Sequence, residues 1–142
     1  MGGPMTSLVV GVDFSDASRK ALDAAVQLAK GLQATVVLVH AGAPLPAGSK
    51  AGRLDPISQV RVEVDADEAR RLAATWGKKA GAEVVSRSGK AEDVILDVAR
   101  ERKATYVVVG SHGRTGIRRA VMGSVAEAVV RASPIPVLVV PS

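Results

Sequence analysis

Short runs of aliphatic residues recur along the chain, separated by longer segments in which the apolar positions are spaced differently. The runs are rich in valine and leucine and show little polar alternation, which is typical of strands buried on both faces of a sheet. Five strands are therefore predicted, the third being the weakest: Leu8–Val12, Thr35–His40, Glu83–Ser86, Tyr106–Val109 and Val137–Val140.

The segments between these runs have the period of amphipathic helices. The segment Ala17–Leu32 places apolar residues at i, i+3, i+4 and i+7, namely Leu22, Ala25, Val26 and Ala29. Gly31 stands where a C-cap is expected. Residues 41–55 are rich in glycine, proline and alanine, and predict a loop.

Three further helices are predicted, the first of them long and closed by Gly81. The next has Glu92 and Asp93 in its first turn, which matches the helix dipole. The inward residues of the three helices are predicted to be Ile57, Val60, Val64, Leu72, Ala73, Trp76 and Ala80; Ala91, Val94, Ile95, Val98 and Ala99; and Val121, Val125, Ala128 and Val129.

Strands and helices alternate along the whole chain, beginning and ending with a strand. Buried strands joined by helices indicate a parallel sheet covered on both faces. Because such crossovers are right-handed, the pattern favours an α/β fold with a doubly wound sheet. The length fits one domain spanning residues 1–142.

Composition limits the possible partners. The net charge is +5, cysteine is absent, and Phe14, Trp76 and Tyr106 are the only Phe, Trp and Tyr residues. Disulfides and thiolate metal sites are thereby excluded. So few aromatic residues argue against nucleic-acid binding and against a flavodoxin-like electron carrier. The basic excess suits a small anionic ligand, although it also aids solubility.

The apolar runs are far shorter than the roughly 20 residues that a bilayer requires, so no membrane association is expected. The first residues lack the basic and apolar regions of a secretory signal. We therefore expect a cytoplasmic protein.

The candidate chemistry concentrates in the glycine-rich segment Gly110–Ser124, after the fourth predicted strand. Ligands of doubly wound sheets bind beyond the carboxyl ends of the strands. Glycines let backbone N–H groups approach an anion, and a helix N-terminus with the Ser124 hydroxyl could bind phosphate. Arg114 could add a charge-assisted bond. Turn glycines in a plain loop are the alternative, but the combination of residues favours anion binding.

Three other polar residues end predicted strands. Asp13 follows the first strand, where its carboxylate could accept bonds from ribose or adenine, or could cap the next helix; the sequence leaves both roles open. His40 and His112 also fall at strand ends. Without cysteine or a suitably spaced carboxylate they make a poor metal site, so they are interpreted as loop hydrogen-bonding residues.

The spacing Gly110-x2-Gly113-x9-Gly123-Ser124 resembles the nucleotide-binding signature of ATP-binding universal stress proteins. The stretch Val12–Ser15 resembles the opening Asp-x-Ser of that family, and Pro134–Val140 resembles its closing strand. The resemblance implies a five-stranded parallel sheet of order 3-2-1-4-5. It also implies ATP between the first and fourth strands, with which a divalent cation such as magnesium could bind.

The resemblance assigns a role to each matching position. Around adenine and ribose it places Gly11, Val12, Asp13 and Ala41. Around ribose and the phosphates it places Val109, Gly110, Gly113, Arg114, Gly123, Ser124 and Val125. Ala41 is smaller than the residue often found there, which would loosen adenine packing. The resemblance further implies a homodimer paired through the last strand, Val137–Val140.

The function that these expectations describe is an ATP-binding regulatory protein of the stress response. The alternative is a slow ATPase or an adenylate-handling enzyme of a related α/β class. The sequence supplies no evident general base beside the phosphates, so at most slow hydrolysis is expected.

Overall fold

The computed structural model describes residues 6–42, 56–112 and 122–141, with side chains described from residue 66 onward in the second helix. Strands and helices alternate in the predicted order. The strands are β1 (Ser7–Val12), β2 (Thr35–Gly42), β3 (Glu83–Ser88), β4 (Tyr106–Gly110) and β5 (Val137–Val140). The helices are α1 (Asp16–Leu32), α2 (Pro56–Ala80), α3 (Ala91–Glu101) and α4 (Ser124–Ala132).

The five strands form one parallel sheet of order β3-β2-β1-β4-β5, which confirms the predicted fold. The second and third strands each continue two residues beyond their predicted ends. Ala41 and Gly42 therefore belong to β2 rather than to the predicted loop, whose remaining residues lie outside the described ranges.

Alternate residues of the central strands feed two separate apolar clusters, one on each face of the sheet. Leu8 and Val10 pack in the cluster that α1 and α2 cover. Val9 and Val107 pack in the cluster that α3 and α4 cover. Burial on both faces explains why these strands show no polar alternation.

Several details of the predicted helices are wrong. Helix α1 runs through Gly31 to Leu32, and its C-cap is Gln33, a left-handed residue (φ 53°) whose N–H donates to the carbonyls of Ala29 and Lys30. That turn satisfies the helix end two residues later than expected. Leu72 of α2 is exposed rather than inward. Gly81 does close α2, at φ 68°.

The inward face of α4 also differs from the prediction. Ala126 and Val129 are buried, whereas Val125 is 37% exposed. Val125 lines a cleft at the carboxyl edge of the sheet. Val121, also predicted inward, lies outside the described residues, as do the side chains of Ile57, Val60 and Val64.

Two ion pairs join the edge strand β3 to the end of α3. Arg87 binds Glu101 through its two terminal guanidinium nitrogens, Nη1 and Nη2. Arg102 binds Glu83 at 2.6 Å. The hydrogen bond from Arg87 lowers the pKa of the Glu101 carboxyl. Because these side chains are largely exposed, solvent screens both pairs and their contribution to stability is small.

Across the described ranges, every helix is too short or too polar to cross a bilayer.

A close contact between Gly110, at the end of β4, and the first turn of α1 positions that helix. A Cβ atom at Gly110 would lie 2.8 Å from the Ala17 carbonyl oxygen. Gly42, at the end of β2, offers a matched position, since a Cβ there would meet nothing closer than 3.8 Å.

We expect Gly110→Ala to lower the free energy of unfolding by about 1–3 kcal/mol, because backbone atoms of α1 must move. The control Gly42→Ala should stay within about 0.5 kcal/mol of the unaltered protein. Urea denaturation followed by circular dichroism measures both. Equal stability of the two variants would contradict the close contact.

Candidate functional site

A cleft of about 340 Å³ opens at the carboxyl ends of β1 and β4. Its walls come from the ends of these strands and from the first turns of α1, α3 and α4. In the strand order, β1 and β4 are neighbours, but α1 and α4 cover opposite faces of the sheet. The two connections therefore diverge and leave a crevice, as expected where the winding of a doubly wound sheet reverses.

The turn after β1 is built around Asp13. Its Oδ1 accepts hydrogen bonds from the Ser15 N–H, at 3.0 Å, and from the Ser15 hydroxyl. Ser15 is the N-cap of α1, and its Oγ accepts from the Ser18 N–H at 3.2 Å. The capping role that the sequence left open for Asp13 thus belongs to Ser15.

The turn before α4 presents backbone groups instead. Gly123 is the N-cap, with no side-chain cap, and its N–H donates to the Ser111 carbonyl at 2.6 Å. The helical ladder begins with the Glu127 N–H donating to the Gly123 carbonyl at 2.9 Å. The first N–H groups of a helix have no intrahelical acceptor and carry the positive end of its dipole. Ser124 and Val125, in this first turn, line the cleft.

Two polar side chains follow β4 on the same wall. The His112 ring is buried, and its Nδ1 lies 3.0 Å from the Ser111 hydroxyl. Both residues line the cleft. His40 is placed elsewhere, with its ring 5.0 Å from the Phe14 ring. In the part of the chain that the structure describes, no three His, Cys, Asp or Glu side chains group as metal ligands.

The structure brings eight of the predicted site residues together around the cleft: Gly11, Val12, Asp13, Val109, Gly110, Gly123, Ser124 and Val125. Ala41 is not among the lining residues and packs instead against the cluster under α3. Gly113 and Arg114 lie outside the described residues.

Sequence reasoning did not assign seven other lining residues to the site: Ser18, Ala91, Ile95, Ser111, His112, Met122 and Ala126. Ile95 was predicted as core, and it is core; the same side chain also forms the wall beside Gly11, where a Cβ would lie 2.4 Å from its Cδ1 atom. The available signal was positional. Helices that follow β1, β3 and β4 all begin at this edge, so their first turns were candidates.

Residues 5–141 match the model of the universal stress protein family. This chain belongs to that family. It is 36% identical to the universal stress protein YxiE of Bacillus subtilis over 145 residues, which covers 94% of this chain and 97% of the relative.

Several solved structures are similar to this one, and three of them are described here. The universal stress protein UspA of Lactobacillus plantarum has a TM-score of 0.83 at 23% identity, over 98% of this chain and 99% of its own, and supports the fold alone. A universal stress protein in complex with cAMP has a TM-score of 0.67 at 31% identity, over 97% and 98%. The protein from Archaeoglobus fulgidus in complex with dAMP has a TM-score of 0.63 at 28% identity, over 95% and 97%.

The Ser15 cap gives a stability prediction for the site. Ser15→Ala should lower the free energy of unfolding by about 1 kcal/mol, because α1 loses its cap and Asp13 loses a donor. The matched control is Ser124→Ala, at the first residue of α4, where Gly123 is the cap. Chemical denaturation should separate the two variants, and an unchanged Ser15→Ala midpoint would refute the capping role.

Proposed function

We propose that this protein binds an adenine nucleotide in the cleft between β1 and β4, and that ATP is the ligand through which it acts as a regulatory protein. One observation carries the proposal. Apolar side chains, an acidic turn and a helix N-terminus without a side-chain cap line the same cleft. This combination suits a molecule with a flat base, a ribose and an anionic tail.

The base and ribose would bind against the strand ends. Val12, Ile95 and Val109 supply aliphatic surface there. Asp13 is held by Ser15, and its carboxylate is an acceptor for ribose hydroxyls or an adenine amino group. A guanine base presents a carbonyl where adenine presents its amino group, so the same carboxylate would disfavour guanine.

The phosphates would bind at the first turn of α4. Backbone N–H groups and the Ser124 hydroxyl are the donors that this turn offers. Gly123 allows close approach since it has no side chain. The predicted charge-assisted bond from Arg114, and any magnesium bound with the triphosphate, remain part of the proposal.

The relatives support adenine nucleotides as a class. The two structures described above hold cAMP and dAMP, both of which are adenine nucleotides with a single phosphate. The preference for a triphosphate rests on the resemblance of the spacing Gly110-x2-Gly113-x9-Gly123-Ser124 to the signature of ATP-binding universal stress proteins.

The described residues favour binding over hydrolysis. Asp13 and His112 are the titratable side chains on the described walls of the cleft. Asp13 is engaged with Ser15 and His112 contacts Ser111. Neither is arranged as a general base directed at a phosphate, so an enzymatic role finds less support than a regulatory one.

Calorimetric titration with ATP, ADP, AMP and cAMP, using GTP as the control, tests the proposal. We expect binding of adenine nucleotides and a raised melting temperature, because a ligand of the folded state alone stabilises it by mass action, about 2.7 kcal/mol at a hundred times Kd. Gly123→Val should abolish binding by filling the anion site. Gly31→Val, at an open position in α1, should bind normally. No binding of any adenine nucleotide would overturn the proposal.

We further propose that the protein forms a homodimer through β5. This strand lies at the edge of the described sheet, and Leu138 on it is 40% exposed. An apolar edge strand tends to associate with another chain.

Leu138→Lys should shift the protein to a monomer, because a charge would be buried in the paired strands. Analytical ultracentrifugation measures the change, with Leu72→Lys as a control at an exposed leucine on α2. A Leu138→Lys protein that stays dimeric would place the interface elsewhere.

A further inference from the structure

The turn that carries Asp13 contains an unusual backbone conformation at the next residue. Phe14 has φ 67°, in the left-handed region. A bulky side chain rarely adopts this conformation, and it persists only where surrounding contacts hold it. The described chain has two other non-glycine residues of this kind, Gln33 and Lys103. Both follow helix ends at the opposite edge of the sheet, where a left-handed residue is common.

The contacts that hold Phe14 come from two other elements. Its ring centroid lies 5.0 Å from that of His40, at the end of β2, and 5.2 Å from that of Trp76, on α2. The contact with Trp76 is edge-to-face at 87°, a favourable arrangement of aromatic quadrupoles. The Arg19 guanidinium of α1 lies 4.4 Å above the Trp76 ring. We call Phe14, His40, Trp76 and Arg19 the aromatic cluster.

The aromatic cluster and the cleft share only the turn between them. No member of the cluster is among the residues that line the cleft. Phe14 and Trp76 pack against the apolar cluster under α1 and α2. Asp13, one residue before Phe14, lines the cleft, and its N–H donates to the Ser18 hydroxyl at 3.3 Å. The Phe14 ring is therefore packed on one side of a short turn, and the Asp13 carboxylate, held by Ser15, lies on the other side.

We propose that Phe14 is a positioning residue for nucleotide binding. Its ring, held by Trp76 and His40, keeps the strained turn in the one conformation that presents Asp13 to the cleft. This inference rests on the proposed function, because it assigns to residues outside the site the preorganisation of a group within it. Preorganisation of this kind raises affinity by reducing what binding must order.

The test compares Phe14→Gly with the unaltered protein in calorimetric titrations with ATP and, separately, with AMP. Glycine adopts a positive φ without strain, so the turn loses its ring and becomes free to move. We expect the Kd to rise about tenfold, the scale of one oriented hydrogen bond to a charged group. Gln33→Gly, which relieves a positive φ at the far end of α1, is the matched control and should leave the Kd unchanged.

A double-mutant cycle with Asp13→Asn separates positioning from general loosening of the fold. If Phe14 acts through Asp13, Phe14→Gly should weaken binding far less in the Asp13→Asn background. An equal loss in both backgrounds, or none in the unaltered background, would overturn the inference.

A second variant covers the case in which Phe14→Gly does not fold. Trp76→Leu leaves the turn sequence intact and removes the edge-to-face partner of Phe14, together with the ring under Arg19, so it should also raise the Kd. An unchanged Kd in Trp76→Leu would overturn the inference. A failure of the unaltered protein to bind either nucleotide would overturn the proposed function, and this inference with it.

Discussion

The contact between Gly110 and the first turn of α1 is the constraint on which the cleft depends. Because β4 ends in a residue without a side chain, the Ala17 backbone lies almost directly on the strand end. That contact brings the start of α1 beside β4, although α1 follows β1. The Asp13 turn and the α4 N-terminus therefore line one crevice. A larger residue at position 110 would require the first turn of α1, which forms one wall of this crevice, to move away from β4.

The N-termini of α1 and α4 at this crevice differ in their capping: α1 has a side-chain cap and α4 has none. Ser15 caps α1 with its own side chain, and Asp13 reinforces that turn. Gly123 leaves α4 without a side-chain cap. Donors that the protein satisfies for itself attract no anion, whereas donors left for a ligand do. The acidic turn and the uncapped helix start thus offer one cleft both a hydrogen-bond acceptor and a set of anion-binding donors.

The order of elements followed from the sequence because it depends on periodic burial, which the valine-rich strands and helical stripes express directly. That pattern favoured a doubly wound parallel sheet, whereas the strand order 3-2-1-4-5 came from the family resemblance. Eight of the residues that the resemblance assigns to the site lie together, in the segments after β1 and β4 that the same pattern had placed at the carboxyl edge of the sheet. The failures are of another kind. Val125 and Ala126 are adjacent small apolar residues, and only the tertiary placement of α4 decides which of them faces the core. Gly31 was expected to be the C-cap of α1, but the helix continues through it and Gln33 is the C-cap. Ala41 was expected to line the cleft, but it belongs to β2 and packs against the apolar cluster under α3.

The side chains around Phe14 indicate how the turn after β1 keeps its conformation. The chain has one Phe, one Trp and one Tyr, and the fully buried core residues that the structure describes are aliphatic. Two of these three aromatic residues nevertheless meet edge-to-face beside Asp13. An edge-to-face pair has a preferred geometry in addition to its close packing. At Phe14 that geometry opposes relaxation of the left-handed backbone. The contact between Phe14 and Trp76 thus supports the strained backbone at Phe14, which is adjacent to the Asp13 carboxylate that lines the cleft.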